Sequence, residues 1–184
     1  MSGGERMPVP EAKVVRIDYP KHWFVIGTIF WAAATTVLFY MAWIATEDIT
    51  RNFWLAAGVI EGILVFLFFV PPLFTNHTAG QKALRLRMGL LIDAAIPYAW
   101  IKGVKETSVN WGGIRVGVGV RYNGVTRTLF ATTEFSTLLS LKLDSSHLIG
   151  RLLKRQVQEI VLSVISTARL ADLLRERIVQ QEEV

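Results

Sequence analysis

Two apolar runs, Trp23 to Thr46 and Phe53 to Phe74, lie almost back to back and limit what the rest of the chain can do. The first has no formal charge and the second has one, Glu61. Each meets the requirement of roughly 20 apolar residues for a helix that crosses about 30 Å of hydrocarbon. A membrane hairpin is therefore expected, with spans near 23–46 and 53–74. The first run starts too late, and is too long and too aromatic, for a cleaved secretory segment, and a second span follows at once, so it is read as retained. The connection between the runs, Glu47 to Asn52, is short enough to make the two helices antiparallel neighbours.

The remaining residues divide around this hairpin. Residues 1–20 read as a disordered tail that ends in a short strand or, by preference, an interfacial segment; the hairpin takes 21–74, a cytoplasmic domain 75–180, and a polar tail 181–184. Hydrophobic residues make up 52% of the 184, a share raised by the two runs, which suits one small soluble domain on an anchor. The chain has no cysteine, so disulfides, thiolate metal sites and a Cys nucleophile are excluded. Its net charge of +5 is explained by position. Lys13, Arg16 and Lys21 precede the first run and Lys82, Arg85 and Arg87 follow the second, whereas Arg51 in the connection stands beside two acids. Cytoplasmic flanks of spans are enriched in Lys and Arg. Both termini are thus expected in the cytoplasm, with membrane lipids rather than nucleic acid as the partner of the basic residues.

Within the hairpin, Gly58 and Gly62 form a GxxxG pair that would let the helices approach. Glu61 lies about 12 Å in from the outer end of its helix at 1.5 Å per residue, level with residues near Thr36 to Tyr40. An intramembrane carboxylate is costly and marks either a buried pairing or a pathway. One reading bonds Glu61 to Thr36, to Tyr40 or to its own copy in an oligomer; the other has it handle protons or cations in a channel or transporter subunit. Pro71-Pro72 is expected to end the second helix.

Beyond Thr75 the period changes. Ala83 to Met88 alternates leucine and arginine as a strand does. Gly89 breaks the pattern, Leu90 to Ile96 offers a second strand, Pro97 turns, and Ala99 to Val109 offers a third. Ile114 to Tyr122 alternates again, and Asn123-Gly124 predicts a type I′ turn into Val125 to Thr132. That turn would pair Tyr122 with Val125, Gly119 with Thr128 and Gly117 with Phe130. Leu138 to Leu143 reads as a strand, and Asp144 or Ser145 as the cap of a short helix through Leu148, Ile149, Leu152 and Leu153. Glu159 to Ile165 reads as the last strand. Ser166 or Thr167 then caps an amphipathic helix carrying Leu170, Leu173, Leu174 and Ile178. The fold class is α+β: the hairpin, then a curved sheet or partly open barrel closed by a C-terminal amphipathic helix.

The order of motifs in 75–180 resembles the PH-like domains of prokaryotic membrane proteins that follow a transmembrane hairpin. The residues that carry the likeness are Leu84 to Met88 with Gly89, then Ile96-Pro97-Tyr98, then Ile101 and Val104. Ile101 and Val104 are three apart, so a bulge near Gly103 is needed to put both on one face. The resemblance implies a PH-like fold with a binding or scaffolding role at the membrane, served by a protein partner or a homo-oligomer. It implies no phosphoinositide site, because Gly89-Leu90-Leu91 lacks the basic loop of the eukaryotic versions.

Catalytic patterns are not found. His22, His77 and His147 have no metal-ligand spacing, no nucleotide or hydrolase motif occurs, and no spacing selects a pair among Asp93, Glu106, Glu134 and Asp144. Gly117 and Gly119 alternate inside a strand pattern and are not a phosphate loop. Neither an enzyme nor a cofactor is expected. The cluster Arg151, Lys154 and Arg155 is a candidate lipid-headgroup contact, since basic residues at an anionic membrane gain about 1 kcal/mol each.

Overall fold

Leucine at every second position makes one face of residues 83–88 apolar, and that face must find cover. In the computed structural model, which describes residues 14–107, 119–134, 138–150 and 154–182, it does so between two sheets. The first sheet comprises β1 (Val15–Ile17), β2 (His77–Ala79), β3 (Ala83–Met88) and β4 (Ile92–Pro97), antiparallel in that order. The second comprises β5 (Ile101–Thr107), β6 (Gly119–Asn123), β7 (Thr128–Thr132), β8 (Leu138–Ile149) and β9 (Arg155–Ser163), in the order β5-β8-β9-β7-β6. Among the described residues neither sheet is closed, and β7 runs parallel to β9. Leu84, Leu86, Met88, Ile92 and Ile96 from the first sheet meet Leu129, Leu139, Leu141, Ile160 and Leu162 from the second. On the outer face of the second sheet Phe130, Leu138 and Val161 form a smaller cluster.

The final helix, α4 (Thr167–Glu182), buries Leu170, Ala171 and Leu174 in the main core, with Leu173 and Ile178 partly buried against it. Its residues follow the expected spacing, and the helix takes in two of the four residues assigned to the polar tail.

The hairpin consists of α1 (His22–Ile44) and α2 (Asp48–Phe68), followed by the short α3 (Val70–Phe74). Both long segments have the length and apolar composition to cross a membrane, and only 6% and 11% of their most apolar stretches are buried within the chain. Ile29, Phe30, Val37, Ile60, Ile63 and Phe66 all lie at least half exposed. Apolar surface on this scale needs cover that the described chain does not provide.

Several sequence expectations change in detail. The connection is Ala45-Thr46-Glu47 and not six residues, because Asp48 to Asn52 form the first turns of α2. Asp48 there favours the helix N-terminus and pairs with Arg51 one turn on. The apolar run thus starts inside the helix, not at its boundary. Pro71-Pro72 does not close the second helix outright. The two missing N–H groups break the ladder at Phe69, but α3 resumes with Pro71 in its first turn, where no donor is needed.

Residues 15–17 pair with His77 to Ala79 and so form a strand of the domain, contrary to the preferred interfacial reading. The Asp144 helix does not form: β8 runs on to Ile149 across an irregularity between Lys142 and His147, with the Asp144 carboxylate accepting from the Ser145 N–H. Leu152 and Leu153 lie outside the described residues.

The β6–β7 register also differs. Asn123 faces Thr128 and Tyr122 faces Leu129, leaving a four-residue loop. A type I′ turn needs positive φ at both central residues, and neither Asn123 nor Gly124 has it; the left-handed residue is Arg127, φ 51°. The Asn123 carboxamide oxygen instead accepts from the N–H groups of Val125 and Thr126 at 3.0 and 3.4 Å. Gly119 consequently faces Thr132, and Phe130 faces Arg121; Gly117 lies outside the described residues. The displacement is even, so the faces are kept: Val120 and Tyr122 pack on the core. At Gly103 the register of β5 shifts as expected, and Ile101 is buried with Val104 packed beside it.

Gly89 has φ +55°, and a Cβ there would lie 2.6 Å from Pro72 Cδ and 2.8 Å from Pro72 N. Gly89→Ala therefore meets both left-handed strain and a clash with a rigid ring. It is expected to lower unfolding stability by about 2 kcal/mol or more, measured by denaturant titration of the detergent-solubilised protein; an unchanged midpoint would contradict this packing.

Candidate functional site

Helix ends carry carbonyls without partners, and α3 ends where the hairpin meets the sheets. Its last carbonyls are covered by side chains from both flanks. The Thr75 hydroxyl lies 3.3 Å from the Pro71 carbonyl, the buried Tyr19 hydroxyl donates to the Pro72 carbonyl at 2.6 Å, and Lys21 Nζ donates to the Leu73 carbonyl at 2.7 Å. Lys21 also brings positive charge to a helix C-terminus, where it is favourable. Thr75 Oγ1 stands 3.1 Å from the Tyr19 hydroxyl and accepts the Gly89 N–H at 2.7 Å. The segment before the hairpin, the turn after it and the β3–β4 turn thereby share one hydrogen-bonded group. The Asp18 carbonyl extends the tie by accepting the Ile165 N–H, just ahead of α4. Burial raises the Tyr19 pKa, against a smaller lowering by the Thr75 hydrogen bond.

His77 completes the group. It is fully buried, its ring lies 5.0 Å from that of Tyr19, and its Nδ1 accepts the Arg87 N–H at 3.0 Å. Nε2, which then carries the proton, has no hydrogen-bond partner among the described residues. Burial lowers the His77 pKa to about 4, with the Arg87 backbone contact acting the other way.

In the hairpin, Gly58 lies against Phe39 and Gly62 against Thr35, with Cβ positions 3.2 and 3.6 Å from those side chains. Glu61 stands between them in sequence and is half-buried, with Oε1 covered and without a hydrogen-bond partner among the described residues. The expected bonds to Thr36 and Tyr40 are not made. Thr36 donates to the Ala32 carbonyl of its own helix at 2.9 Å, as Thr hydroxyls in helices do. Tyr40 is exposed and sets its ring edge-on to Trp43 at 6.2 Å.

Other candidates are dispersed. Tyr98 is fully buried beside Pro97 and donates to the Gly80 carbonyl at 2.9 Å. Lys154 and Arg155 are exposed where β9 begins, not on a helix, and Arg155 lies 5.8 Å over the Tyr122 ring; Arg151 is outside the described residues. Asp93 takes both contacts of the Arg85 guanidinium at 2.8 Å. Asp144, Ser145 and His147 cluster, but both partners address His147 Nε2, so no relay through the ring forms, and the ring stacks on Trp100 at 3.8 Å. Hydrogen bonding from His147 holds the Asp144 pKa down. Among the described residues no three metal-binding side chains converge.

The chain matches no protein-family model, no curated protein and no solved structure.

The junction was not legible as a site. Tyr19, Thr75 and His77 are polar residues next to prolines and helix ends, and that capping position was the one signal available. Tyr19→Phe removes a buried donor and is expected to cost about 1.5 kcal/mol. His77 has a lower pKa folded than its ordinary 6.5, so the unfolded chain binds the extra proton between those values and stability falls with the pH. From pH 7.5 to 5 the loss is about 2 kcal/mol. His77→Asn, measured by denaturant unfolding at the two pH values, should flatten that difference; an identical slope in the variant would contradict the assignment.

Proposed function

We propose that this chain is a two-span membrane protein, both termini cytoplasmic, whose PH-like domain is held at the inner face to bind a protein partner or organise an assembly. The observation that carries this reading is the junction. Tyr19, Lys21 and Thr75 tie the domain to the end of the hairpin, so it meets the membrane in one orientation. An anchored domain gains effective concentration toward anything else at that surface. Two facing sheets with an amphipathic C-terminal helix support the PH-like likeness, as does Tyr98 seated beside Pro97. The parallel β7–β9 pair is a departure from an all-antiparallel version. The role proposed is not enzymatic and involves no nucleic acid.

A second reading has one observation in its favour. The covered, unpartnered Oε1 of Glu61 suits a contact between copies, in which several hairpins assemble into a channel or transporter.

Photocrosslinking from exposed domain positions in intact cells, followed by identification of the adduct, tests the first reading. A membrane-associated protein captured at defined positions is expected, with the domain resistant to protease added outside the cells. Cleavage from outside would overturn the topology. In reconstituted vesicles no Glu61-dependent flux is expected; conduction abolished by Glu61→Gln would favour the second reading.

A further inference from the structure

Strand β6 is an edge of its sheet, with β7 on one side and no strand on the other among the described residues. Its core-facing side, which carries Val120 and Tyr122, opens onto two adjoining hollows of about 380 and 420 Å³ that share Phe68, Leu91 and Val120. One reaches Trp23 and Phe24 at the start of α1; the other reaches Arg121 and Arg155. Among the described residues no carboxylate lines either hollow. Arg155 is seated over the Tyr122 ring, which is itself fixed by a 2.7 Å hydrogen bond to the Gln156 carbonyl. Neither arginine has an ion-pair partner among the described residues.

The position in the fold selects the occupant. α1 has 23 residues and is therefore about 34 Å long, enough to cross the hydrocarbon and leave its ends among the headgroups. Trp23 begins α1 and Phe68 ends α2, at the same end of the hairpin, so the hollows open at headgroup depth. An apolar floor that continues from the spans, with a cationic rim facing the aqueous side, matches an amphiphile whose charge is negative. We propose that an anionic phospholipid seats here, its phosphate at Arg155 and an acyl chain along Phe68, Leu91 and Val120; Arg121, paired with Phe130, lies on the opposite face of β6. The site differs from the Arg151 cluster in depending on the seat of Arg155 over Tyr122 and on the floor. It rests on the membrane reading of the hairpin.

Native mass spectrometry of the full chain in detergent tests it, with phosphatidylglycerol or phosphatidylcholine of matched acyl chains added. The wild type should retain the anionic lipid roughly fivefold better, from one charge-assisted contact. Arg155→Gln should abolish the preference, Arg121→Gln on the opposite face of β6 should leave it, and Val120→Trp should weaken retention of both lipids; circular dichroism confirms that the variants remain folded. Equal retention by the wild type, an unchanged preference in Arg155→Gln, or a lipid-free dimer would overturn the proposal. Displacement by soluble glycerol phosphate, with Val120→Trp silent, would overturn the acyl seat. Resistance of the protein to alkaline carbonate extraction checks the membrane reading separately, so its failure and that of the lipid site are told apart.

Discussion

The capping of the Pro72 and Leu73 carbonyls at the end of α3 is the interaction on which the arrangement of the molecule depends. Proline breaks the second helix at Phe69, the restart is short, and its terminal carbonyls face the domain where water is scarce. An unpartnered buried carbonyl costs on the order of 1–3 kcal/mol, so the residues that supply donors are constrained in place. Those donors come from Tyr19 and Lys21, about fifty residues earlier in the chain, and Thr75 just beyond joins them through the Tyr19 hydroxyl. The two ends of the hairpin are thereby closed on each other.

The rest follows from that closure. With Tyr19 held, β1 is carried to β2 and completes the first sheet at its edge. With Thr75 held, its hydroxyl reaches the Gly89 N–H, and the β3–β4 turn sits against Pro72. Gly89 thus combines a left-handed turn with a close approach to a ring, and only a residue without Cβ suits both. His77, next to Tyr19, is kept neutral by burial, so a histidine that looked unattached in the chain belongs to the same group.

Much of the domain was legible because its signals are local and periodic. The alternation from Ala83 to Met88, the spacing of Leu170 and Leu174, and the mismatch of Ile101 and Val104 that demands a bulge each state a face directly. The errors occurred where a local signal competed with a distant partner. Asn123-Gly124 suggested a two-residue turn, but β7 is paired on its other edge with β9, and the Asn123 side chain stabilises a longer loop. Asp144 can cap a helix, yet the segment after it pairs with β9. Tyr19 and Thr75 carry no periodicity, and their role depends on chain closure over some fifty residues, which no window of sequence displays. Glu61 was evident as an oddity from composition, whereas its lack of a bond to Thr36 follows from the hydroxyl's preference for its own helix.

A hairpin whose apolar sides are uncovered, closed at its base by capping hydrogen bonds, presents a rigid platform to the sheets behind it. On this account the hairpin and the domain behave as one body and not as two units on a tether. The chain has no native cysteine, so spin labels can be placed uniquely at Thr46→Cys, between the long helices, and Ala168→Cys, exposed on α4. Pulsed electron resonance on this doubly labelled protein in lipid nanodiscs measures the distance between them. The account predicts one narrow distance distribution that broadens when Tyr19→Phe is added; a broad or multimodal distribution in the protein with Tyr19 intact would contradict it.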